Sequence, residues 1–295
     1  NLKIISFARK KGLFLSILIF KNFKKYNTCK LIIYFNNINS LWVIIGAKLS
    51  GINNIAVCIQ NSVKGINLQI FKSIILLRIF NLLNVKLVPC SKAIVNAYLK
   101  IDKNLKFCQV IPNCINVKNF QKEINLTKKN EKSDELKTII MVARMDHIKD
   151  QETLIRAYSK IKDKCKLVLV GNGKKKNKLE QLAIKLGLDH KKIFFDARND
   201  IPKLLANSDI FALSTTEEEG FGIVLIEAMA AGLPIIATNV PACKEVLDNG
   251  NAGILVPSKR VDIWIKEITG LLDSKKIRDL YKKKSIQNVK NYDSK

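Results

Sequence analysis

Short apolar runs alternate along this chain with longer stretches in which apolar and polar residues recur at helical spacing. Each run has the length and β-branched content of a buried strand, and each stretch between runs is long enough for a helix. This alternation predicts an α/β protein with parallel sheets. In the first half, strands are predicted at 31–35, 55–59, 85–88 and 107–111, and helices near 40–50, 68–83 and 91–100. In the second half, strands are predicted at 138–143, 166–170, 193–195, 209–213, 234–237 and 253–256.

The alternation stops between residues 116 and 137, where lysine, asparagine and acidic residues dominate. A charge-rich interval between two patterned regions is typical of a linker between domains. With 295 residues, 47% of them hydrophobic, the chain is long enough for two domains with separate cores. We therefore predict an N-terminal domain at 1–115, a linker at 116–137 and a C-terminal domain at 138–295.

Two carboxylates, Glu219 and Glu227, flank a Gly-Phe-Gly turn in the second half. Gly220 and Gly222 allow the backbone to turn sharply and to approach a ligand, and the residues that follow are good helix formers. A helix is therefore predicted to begin at about Gly222, and its first amides and its dipole favour phosphate oxygens. Because carboxylates are strong acceptors for sugar hydroxyls, the block predicts a site for a sugar joined to a phosphate.

A cationic complement to this acidic block follows the predicted strand at 138–143. Arg144 and Lys149 lie on the short loop after that strand. Parallel sheets bind ligands at the carboxyl ends of their strands, where a guanidinium and an ammonium can bind phosphate. A turn at Gly171 and Gly173 follows the next strand and is a weaker candidate for close approach to a ligand.

Together these segments resemble the large family of retaining glycosyltransferases with the GT-B fold, in particular the family-4-like members that build polysaccharides. The order and spacing of the segments agree with that family, and the resemblance covers nearly the whole chain. Its most specific part is the block from Glu219 to Glu227. The resemblance also rests on Val142-Ala143-Arg144 with Lys149, on Gly171-Asn172-Gly173, on residues 209–214 and, in the first half, on residues 36–40, 47–51, 89–91 and 111–113.

The resemblance implies two Rossmann-like domains whose parallel sheets face one another across a cleft, with a nucleotide sugar bound by the second domain. It implies that Glu227 holds the ribose hydroxyls and that Arg198 lies where the family's chain passes the nucleobase. Glu219 would contact the donor sugar and its phosphate, together with backbone amides. The remaining implied nucleotide-sugar contacts are Gly220, Phe221, Gly222, Ile223, Gly171 and Gly173.

The resemblance also implies a reaction. Arg144 and Lys149 would neutralise the pyrophosphate as it leaves, so these two residues and Glu219 form the implied catalytic group. The acceptor hydroxyl would arrive on the face that the nucleoside diphosphate leaves, which gives retention without an enzyme nucleophile. Catalysis would be mainly electrostatic stabilisation and positioning, with no metal and no cofactor. The implied donor is a UDP-sugar, and the implied acceptor is a polysaccharide or a lipid-linked sugar.

Positive charge is concentrated in the first part of the chain. Residues 1–113 hold 17 lysines and arginines and one acid, Asp102, and so carry a net charge of +16 out of +26 for the whole sequence. This charge suits an anionic membrane surface or a phosphate-bearing acceptor, and lysines on solvated faces explain it equally well. Nucleic acid is not an expected partner, because the sequence has no reader motif and no basic run with interleaved aromatic residues.

Cysteine usage and apolar runs predict the location of the protein. The seven cysteines are scattered, with no pair at metal-ligand spacing, which indicates reduced thiols in the cytoplasm. The apolar runs at 13–20 and 74–83 fall short of the ~20 apolar residues that span a bilayer, so neither a transmembrane helix nor a secretory signal is predicted. We expect a cytoplasmic protein, peripheral on the inner face of the cell membrane.

The chain also departs from the family's pattern. It begins at Asn1, and we recognise no opening strand with the family's glycine-rich loop, so a truncated N-terminal domain is expected. The segment that follows a helix near 275–290 in the family is expected to be incomplete as well. Asn36 and Asn37 stand where many relatives carry a histidine, and Cys114 stands where they carry a glycine.

Other functions remain open at the level of sequence. A catalytically inactive donor-binding or scaffold protein of the same fold fits the missing loop. A sugar-nucleotide epimerase needs acid–base side chains that His147 and His190, both expected at the surface, do not supply. A hydrolase would use Glu219 and Glu227 as acid and nucleophile, although nothing in the sequence marks either as buried or raised in pKa. The simplest alternative is two solvated glutamates near a helix start. Phe221 is expected to be either a sugar-contacting aromatic or an anchor of the turn.

Overall fold

The computed structural model describes residues 12–23, 30–35, 38–65, 67–127 and 136–294. The predictions that concern an opening strand, Cys29, Asn36 and Asn37 fall outside the described residues. The chain divides into two compact units, residues 1–112 and residues 113–295. Each unit is an arrangement of helices around a parallel sheet, so the predicted α/β class is confirmed.

The first unit contains a three-stranded parallel sheet. Along the chain, helices precede, separate and follow its strands. The strands are β1 Leu31–Tyr34, β2 Ile55–Ile59 and β3 Lys86–Pro89, and the described helices are α1 Gly12–Phe23, α2 Ile38–Leu49, α3 Leu68–Leu82 and α4 Lys92–Ile101. The sheet has the order β1-β2-β3. Alternate residues of the central strand, Ile55, Val57 and Ile59, are at most 1% exposed and form the middle of the core.

The strand predicted at 107–111 is wrong. This segment runs beside β3 and makes isolated hydrogen bonds to it, from the Cys108 amide to the Leu87 carbonyl (2.8 Å) and from the Ile111 amide to the Pro89 carbonyl (3.0 Å). Cys108 and Ile111 are exposed and Phe107 and Val110 are only half-buried, so the segment does not bury a full apolar face against the sheet. Without that burial, apolar residue types alone do not make a strand.

The second unit contains a six-stranded parallel sheet. Its strands are β4 Lys137–Val142, β5 Cys165–Val170, β6 Phe194–Phe195, β7 Ile210–Leu213, β8 Ile235–Thr238 and β9 Ile254–Val256. Its helices are α5 Val117–Thr127, α6 Gln151–Ser159, α7 Lys176–Lys185, α8 His190–Ile193, α9 Ile201–Ala206, α10 Ile223–Ala230, α11 Pro241–Val246, α12 Val261–Asp273 and α13 Lys275–Asn288.

The strand order of this sheet is β6-β5-β4-β7-β8-β9. The chain starts at β4, moves outward through β5 to β6, and then crosses back to the other side of β4 to begin β7. The order therefore reverses between β4 and β7, and open sheets of this kind bind ligands at the carboxyl ends of the strands beside that point. Every residue of β7 and β8 is buried, as expected for strands covered by helices on both faces.

The segment predicted as a linker is partly helical. Helix α5 occupies 117–127, packs against α9 and α10, and buries Val117 and Ile124. These two apolar residues are seven positions apart, which places them on one helix face, but the polar residues around them hide this spacing in the sequence. Residues 128–135 of the predicted linker lie outside the described residues, and the predicted domain boundaries stay a prediction.

The last helix, α13, and the residues after it form hydrogen bonds with earlier parts of the second unit. The Ser285 hydroxyl of α13 contacts the carbonyls of Leu233 (3.0 Å) and Ala252 (3.2 Å), and the Val117 amide donates to the Asp293 carboxylate (3.1 Å).

Within the described ranges, no helix combines the length and the apolar content that crossing a membrane requires.

Candidate functional site

The loops that follow β4 and β7 lie side by side at the point where the strand order reverses. Lys149 and Thr215 form an isolated antiparallel bridge between the loops. The Asp150 amide donates to the Ser214 carbonyl (3.0 Å), and the Thr216 amide donates to the Ile148 carbonyl (2.9 Å). The two segments that the sequence analysis singled out are thus brought together by the backbone of their own loops.

Lys149 and Glu219 form an ion pair between these loops, and each side chain is 10% exposed. The Thr215 hydroxyl lies 3.0 Å from the same Glu219 oxygen that Lys149 contacts. Thr215 is itself held by the Thr238 hydroxyl at the end of β8, which accepts a hydrogen bond from the Thr215 amide (3.0 Å). Because charges this far from water need a partner, each member of the pair fixes the position of the other.

The turn after Glu219 has the shape that the Gly-Phe-Gly sequence predicted. Gly222 caps the start of α10 with a φ of 82°, in the left-handed region that favours glycine. A Cβ at this position would also lie 3.2 Å from the Leu225 Cδ1. Helix α10 therefore begins at Ile223, and its first amides have no partner within the helix and can serve as anion donors.

The Phe221 side chain anchors this turn. It is 3% exposed and packs edge-to-face on Tyr292, with ring centroids 5.9 Å apart. This packing agrees with the expected role of turn anchor, and a contact of Phe221 with the donor stays a prediction. The backbone of Phe221 remains part of the turn that leads into α10.

Glu227 lies inside α10 and is largely buried. Burial raises the pKa of its carboxyl from 4.5 to about 7. Among the described residues, no cation or hydrogen-bond donor contacts this carboxylate. Glu219 is 8% exposed, so the simple alternative of two solvated glutamates near a helix start is wrong.

Arg144 differs from Lys149 in exposure. Its side chain is 70% exposed and lies 3.2 Å from the Asp146 carboxylate. The Arg144 carbonyl accepts a hydrogen bond from the Gln151 amide group (2.9 Å), which ties the loop to the start of α6. The loop thus presents one cation to solvent and holds the other inside.

Gly171 and Gly173 allow the loop after β5 to lie directly on the Arg144 loop. A Cβ at Gly171 would stand 2.1 Å from the Ala143 carbonyl oxygen, and one at Gly173 would stand 2.3 Å from the Met145 carbonyl oxygen. The Met145 amide donates to the Asn172 carbonyl (2.9 Å). The close approach that these glycines permit is therefore to neighbouring backbone, and a contact with a ligand stays a prediction.

Arg198 follows β6, the edge strand of the sheet, and stands apart from β4 and β7 in strand order. It forms a two-pronged ion pair with Asp200, with both nitrogen–oxygen distances at 2.7 Å. Its contact with a nucleobase stays a prediction. His147 is 74% exposed and pairs with Glu218 (3.3 Å), which confirms the surface position expected for it.

The sequence analysis missed the polar residues that support the ion pair. Thr215 and Thr238 are buried at the ends of two neighbouring strands. The Ser214 hydroxyl after β7 and the Gln151 side-chain oxygen at the start of α6 are buried as well. These last two atoms have no hydrogen-bond partner in the part of the chain that the structure describes. Only their position after predicted strands could have pointed to Ser214, Thr215 and Thr238. Within the same part, no group of three or more His, Cys, Asp or Glu side chains could hold a metal ion.

The second unit and its site define a class of protein. A doubly wound parallel sheet with an acid and a cation joined at its switch point, beside a glycine-capped helix start, is the arrangement of a nucleotide-binding type of α/β domain. The chain belongs to the family described as "Glycosyl transferases group 1", whose profile matches residues 122–288, more than half of the chain.

Individual proteins agree with this assignment. An uncharacterized glycosyltransferase of Methanocaldococcus jannaschii is 35% identical over 147 residues, which cover 48% of this chain and 37% of that protein. The Campylobacter jejuni N-acetylgalactosamine-N,N'-diacetylbacillosaminyl-diphospho-undecaprenol 4-alpha-N-acetylgalactosaminyltransferase is 30% identical over 190 residues, 64% of this chain and 50% of that enzyme. The chain thus spans half or less of the length of these relatives.

A solved structure extends the likeness to nearly the whole chain. The Anabaena protein HepE in complex with UDP matches with a TM-score of 0.79 at 20% identity, over 94% of this chain and 78% of that chain. At this identity the match shows the fold alone. It confirms the predicted GT-B fold, with parallel sheets in two sets.

Proposed function

We propose that this protein is a glycosyltransferase that moves a sugar, with retention, from a UDP-sugar to a polysaccharide or a lipid-linked sugar. The observation that carries the proposal is the Lys149–Glu219 pair, which holds an acid and a cation at the switch point of the sheet. A sugar diphosphate needs both charges, because its hydroxyls bind carboxylates and its phosphates bind cations. The membership of the glycosyltransferase family supports the transfer reaction.

One solved neighbour and one relative support the choice of substrates. The HepE structure contains UDP, and the Campylobacter enzyme is named for transfer to a diphospho-undecaprenol-linked sugar. A lipid-linked acceptor also suits the net charge of +16 that residues 1–113 carry. We therefore propose a cytoplasmic protein that works at the inner face of the cell membrane.

The side chains divide the donor between them. In this proposal, Glu227 accepts hydrogen bonds from the ribose hydroxyls, and Glu219 accepts them from the donor sugar. The amides at the start of α10, beginning with Ile223, receive phosphate oxygens. In this proposal, Lys149 lies close to both the donor sugar and its phosphates, since it already contacts Glu219.

The leaving group is stabilised by fixed charge. As the bond between sugar and phosphate breaks, negative charge grows on the diphosphate, and the Lys149 ammonium and Arg144 guanidinium neutralise it. Arg144 is exposed and can swing onto a phosphate, whereas Lys149 is held in place. These two cations and the helix dipole supply the charge that a divalent metal supplies in other transferases, so we propose a metal-independent reaction.

A hydrolase that uses the two glutamates is less well supported. Glu219 is engaged by Lys149 and Thr215, so its carboxylate is not free to attack a sugar carbon. Glu227 is partly buried and its pKa is raised, which suits an acid, but it lacks the second, free carboxylate that glycoside hydrolysis requires.

The proposal is tested by donor binding followed by turnover. Thermal unfolding with a set of nucleoside diphosphates and their sugars should show the largest rise in Tm with UDP and one UDP-sugar. Transfer to a lipid-linked acceptor should then retain the anomeric configuration, as read by NMR, and should persist in EDTA. Binding of UDP without transfer or donor hydrolysis would favour the donor-binding scaffold instead.

A further inference from the structure

The two side chains that hold the Glu219 carboxylate contact the same one of its oxygens. The Lys149 ammonium contacts Oε2, and the Thr215 hydroxyl lies 3.0 Å from Oε2. In the part of the chain that the structure describes, Oε1 receives no hydrogen bond, and unlike the Ser214 hydroxyl it still reaches solvent. Glu219 therefore has one oxygen that is held twice and one that is open to a ligand.

The Thr215 hydroxyl has one proton and two acceptors within reach. Its oxygen lies 3.0 Å from the Ile148 carbonyl and 3.0 Å from Glu219 Oε2. The Ile148 carbonyl already accepts a hydrogen bond from the Thr216 amide (2.9 Å). A carboxylate is also the stronger acceptor of the two. The Thr215 hydroxyl therefore donates to Glu219.

Thr215 is itself held in place by its backbone. Its amide donates to the Thr238 hydroxyl at the end of β8 (3.0 Å), and the residue forms the bridge with Lys149 between the two loops. Thr215 and Thr238 are each 1% exposed, so water does not compete for these bonds. A threonine side chain is also stiff at χ1. The hydroxyl that meets Glu219 thus has a fixed position.

The second donor on Oε2 restricts rotation of the carboxylate. The last torsion of a glutamate side chain is broad and twofold, so a carboxylate with one partner can turn and exchange its two oxygens. Lys149 alone adds a compact point charge at the end of a flexible stem. With Thr215 as the second anchor, Oε2 stays inside the site and Oε1 stays on its open side.

We propose that Thr215 is a positioning residue for the donor sugar. By holding Oε2, it keeps Glu219 Oε1 in place as the acceptor for a sugar hydroxyl. An acceptor that is already in place loses little freedom when the sugar binds, and it orients the sugar relative to the diphosphate that leaves. The inference rests on the proposed function and deepens it, because it assigns the sugar contact to one oxygen and the orientation of that oxygen to a residue that touches no substrate.

A comparison of UDP with UDP-sugars tests this role in the full chain. Thr215→Val removes the hydroxyl and keeps the shape of the side chain. It should weaken the binding of a UDP-sugar about tenfold, as expected when a hydrogen bond to a charged group is lost, and leave the binding of UDP nearly unchanged. Thr215→Ser keeps the hydroxyl and should restore the affinity. Calorimetric titration with UDP, UDP-glucose, UDP-galactose and UDP-N-acetylglucosamine measures these affinities.

The matched control is Thr153→Val. Thr153 is 4% exposed, and its hydroxyl lies 2.7 Å from the Asp150 carboxylate at the start of α6. This variant also takes a buried hydroxyl from a carboxylate in the second unit, so it should lower stability and leave the affinity for UDP-sugars unchanged. Urea unfolding verifies the fold of each variant, and Thr215→Ala takes the place of Thr215→Val if the valine variant does not fold.

The outcomes separate this role from general damage and from the proposed function. Equal losses of UDP and UDP-sugar binding in Thr215→Val, or a serine variant as weak as the valine variant, would overturn the positioning role. So would unchanged UDP-sugar binding in Thr215→Val, or a wild type that binds UDP and none of the three UDP-sugars. In each of these cases the UDP site would stand. A wild type that binds no UDP would contradict the proposed function and this inference with it.

Discussion

Lys149 and Glu219, 70 positions apart in sequence, form an ion pair that fastens the loop after β4 to the loop after β7. These strands are the neighbours between which the strand order reverses, so the pair lies where open parallel sheets bind their ligands. In the proposed function, Glu219 binds the hydroxyls of the donor sugar and Lys149 binds the diphosphate. The pair therefore links the stability of the second unit to its proposed chemistry.

Breaking this pair from one side should destabilise the protein. Lys149→Met leaves the Glu219 carboxylate buried without a cation, which should lower the free energy of unfolding by about 3 kcal/mol. Lys149→Met/Glu219→Gln should recover most of that loss, because no buried charge is left. Urea unfolding of the wild type, both single variants and the double variant measures the coupling. Additive effects of the two substitutions would show that the side chains do not interact.

Glu227 should make stability depend on pH. Its pKa is raised from 4.5 to about 7, so the folded state holds a proton that the unfolded state has lost between these values. Stability from this group is therefore full below pH 4.5 and falls as the pH rises to 7, by about 3 kcal/mol in total. Glu227→Gln should remove this slope and be more stable than the wild type at pH 8.

The same variant separates stability from binding. If Glu227 holds the ribose, Glu227→Gln should bind UDP more weakly even where it is more stable, because an amide replaces a carboxylate acceptor. Glu123→Gln, at an exposed position on α5, is the control and should change neither property. Unchanged UDP affinity in Glu227→Gln would remove the ribose role.

Arg144→Ala should slow the proposed transfer with little effect on folding. Its charge is needed most as the diphosphate leaves, so kcat should fall by about a hundredfold, the typical cost of one lost electrostatic contact. Arg156→Ala is a fitting comparison, since Arg156 is also exposed and paired with a carboxylate in this unit. A rise in KM with unchanged kcat would contradict the leaving-group role.

Gly171 should tolerate no side chain. In Gly171→Ala the new methyl group would stand 2.1 Å from the Ala143 carbonyl oxygen, so the loops after β4 and β5 must separate and Tm should fall by several degrees. Gly270→Ala, inside α12 with open space around it, should instead raise Tm slightly, because alanine is the better helix former. Thermal unfolding of both variants makes the comparison. An equal response would show that the close contact is not needed.

Much of the fold could be predicted because its signals are local. The strand at Ile55–Ile59 and the helix that starts after Gly222 follow from runs of residue types that the structure uses as the pattern suggests. The segment at 107–111 misled because its apolar residues lie beside the sheet and are at most half-buried. Helix α5 was hidden because a few apolar residues among many polar ones are enough when the helix packs on neighbours.

The site was predictable in its charged members but not in its support. Glu219 and Lys149 stand out as residues after predicted strands, whereas their direct contact depends on the strand order, which no local pattern contains. Thr215 and Thr238 became visible only when that order brought two strand ends together. The burial that raises the pKa of Glu227 likewise depends on packing around α10 and not on its own sequence.

Calorimetric titration of UDP into the wild type and into Lys149→Met/Glu219→Gln tests the central claim most directly. We expect the double variant to keep the fold because it leaves no buried charge, so a loss of affinity in a sample whose folding is verified by urea unfolding reports the site. We predict that the wild type binds UDP and that the double variant binds it at least about tenfold more weakly, as expected when charged contacts worth more than 1.4 kcal/mol are lost. Equal affinities, or no binding of UDP by the wild type, would contradict a nucleotide-sugar site at Lys149 and Glu219.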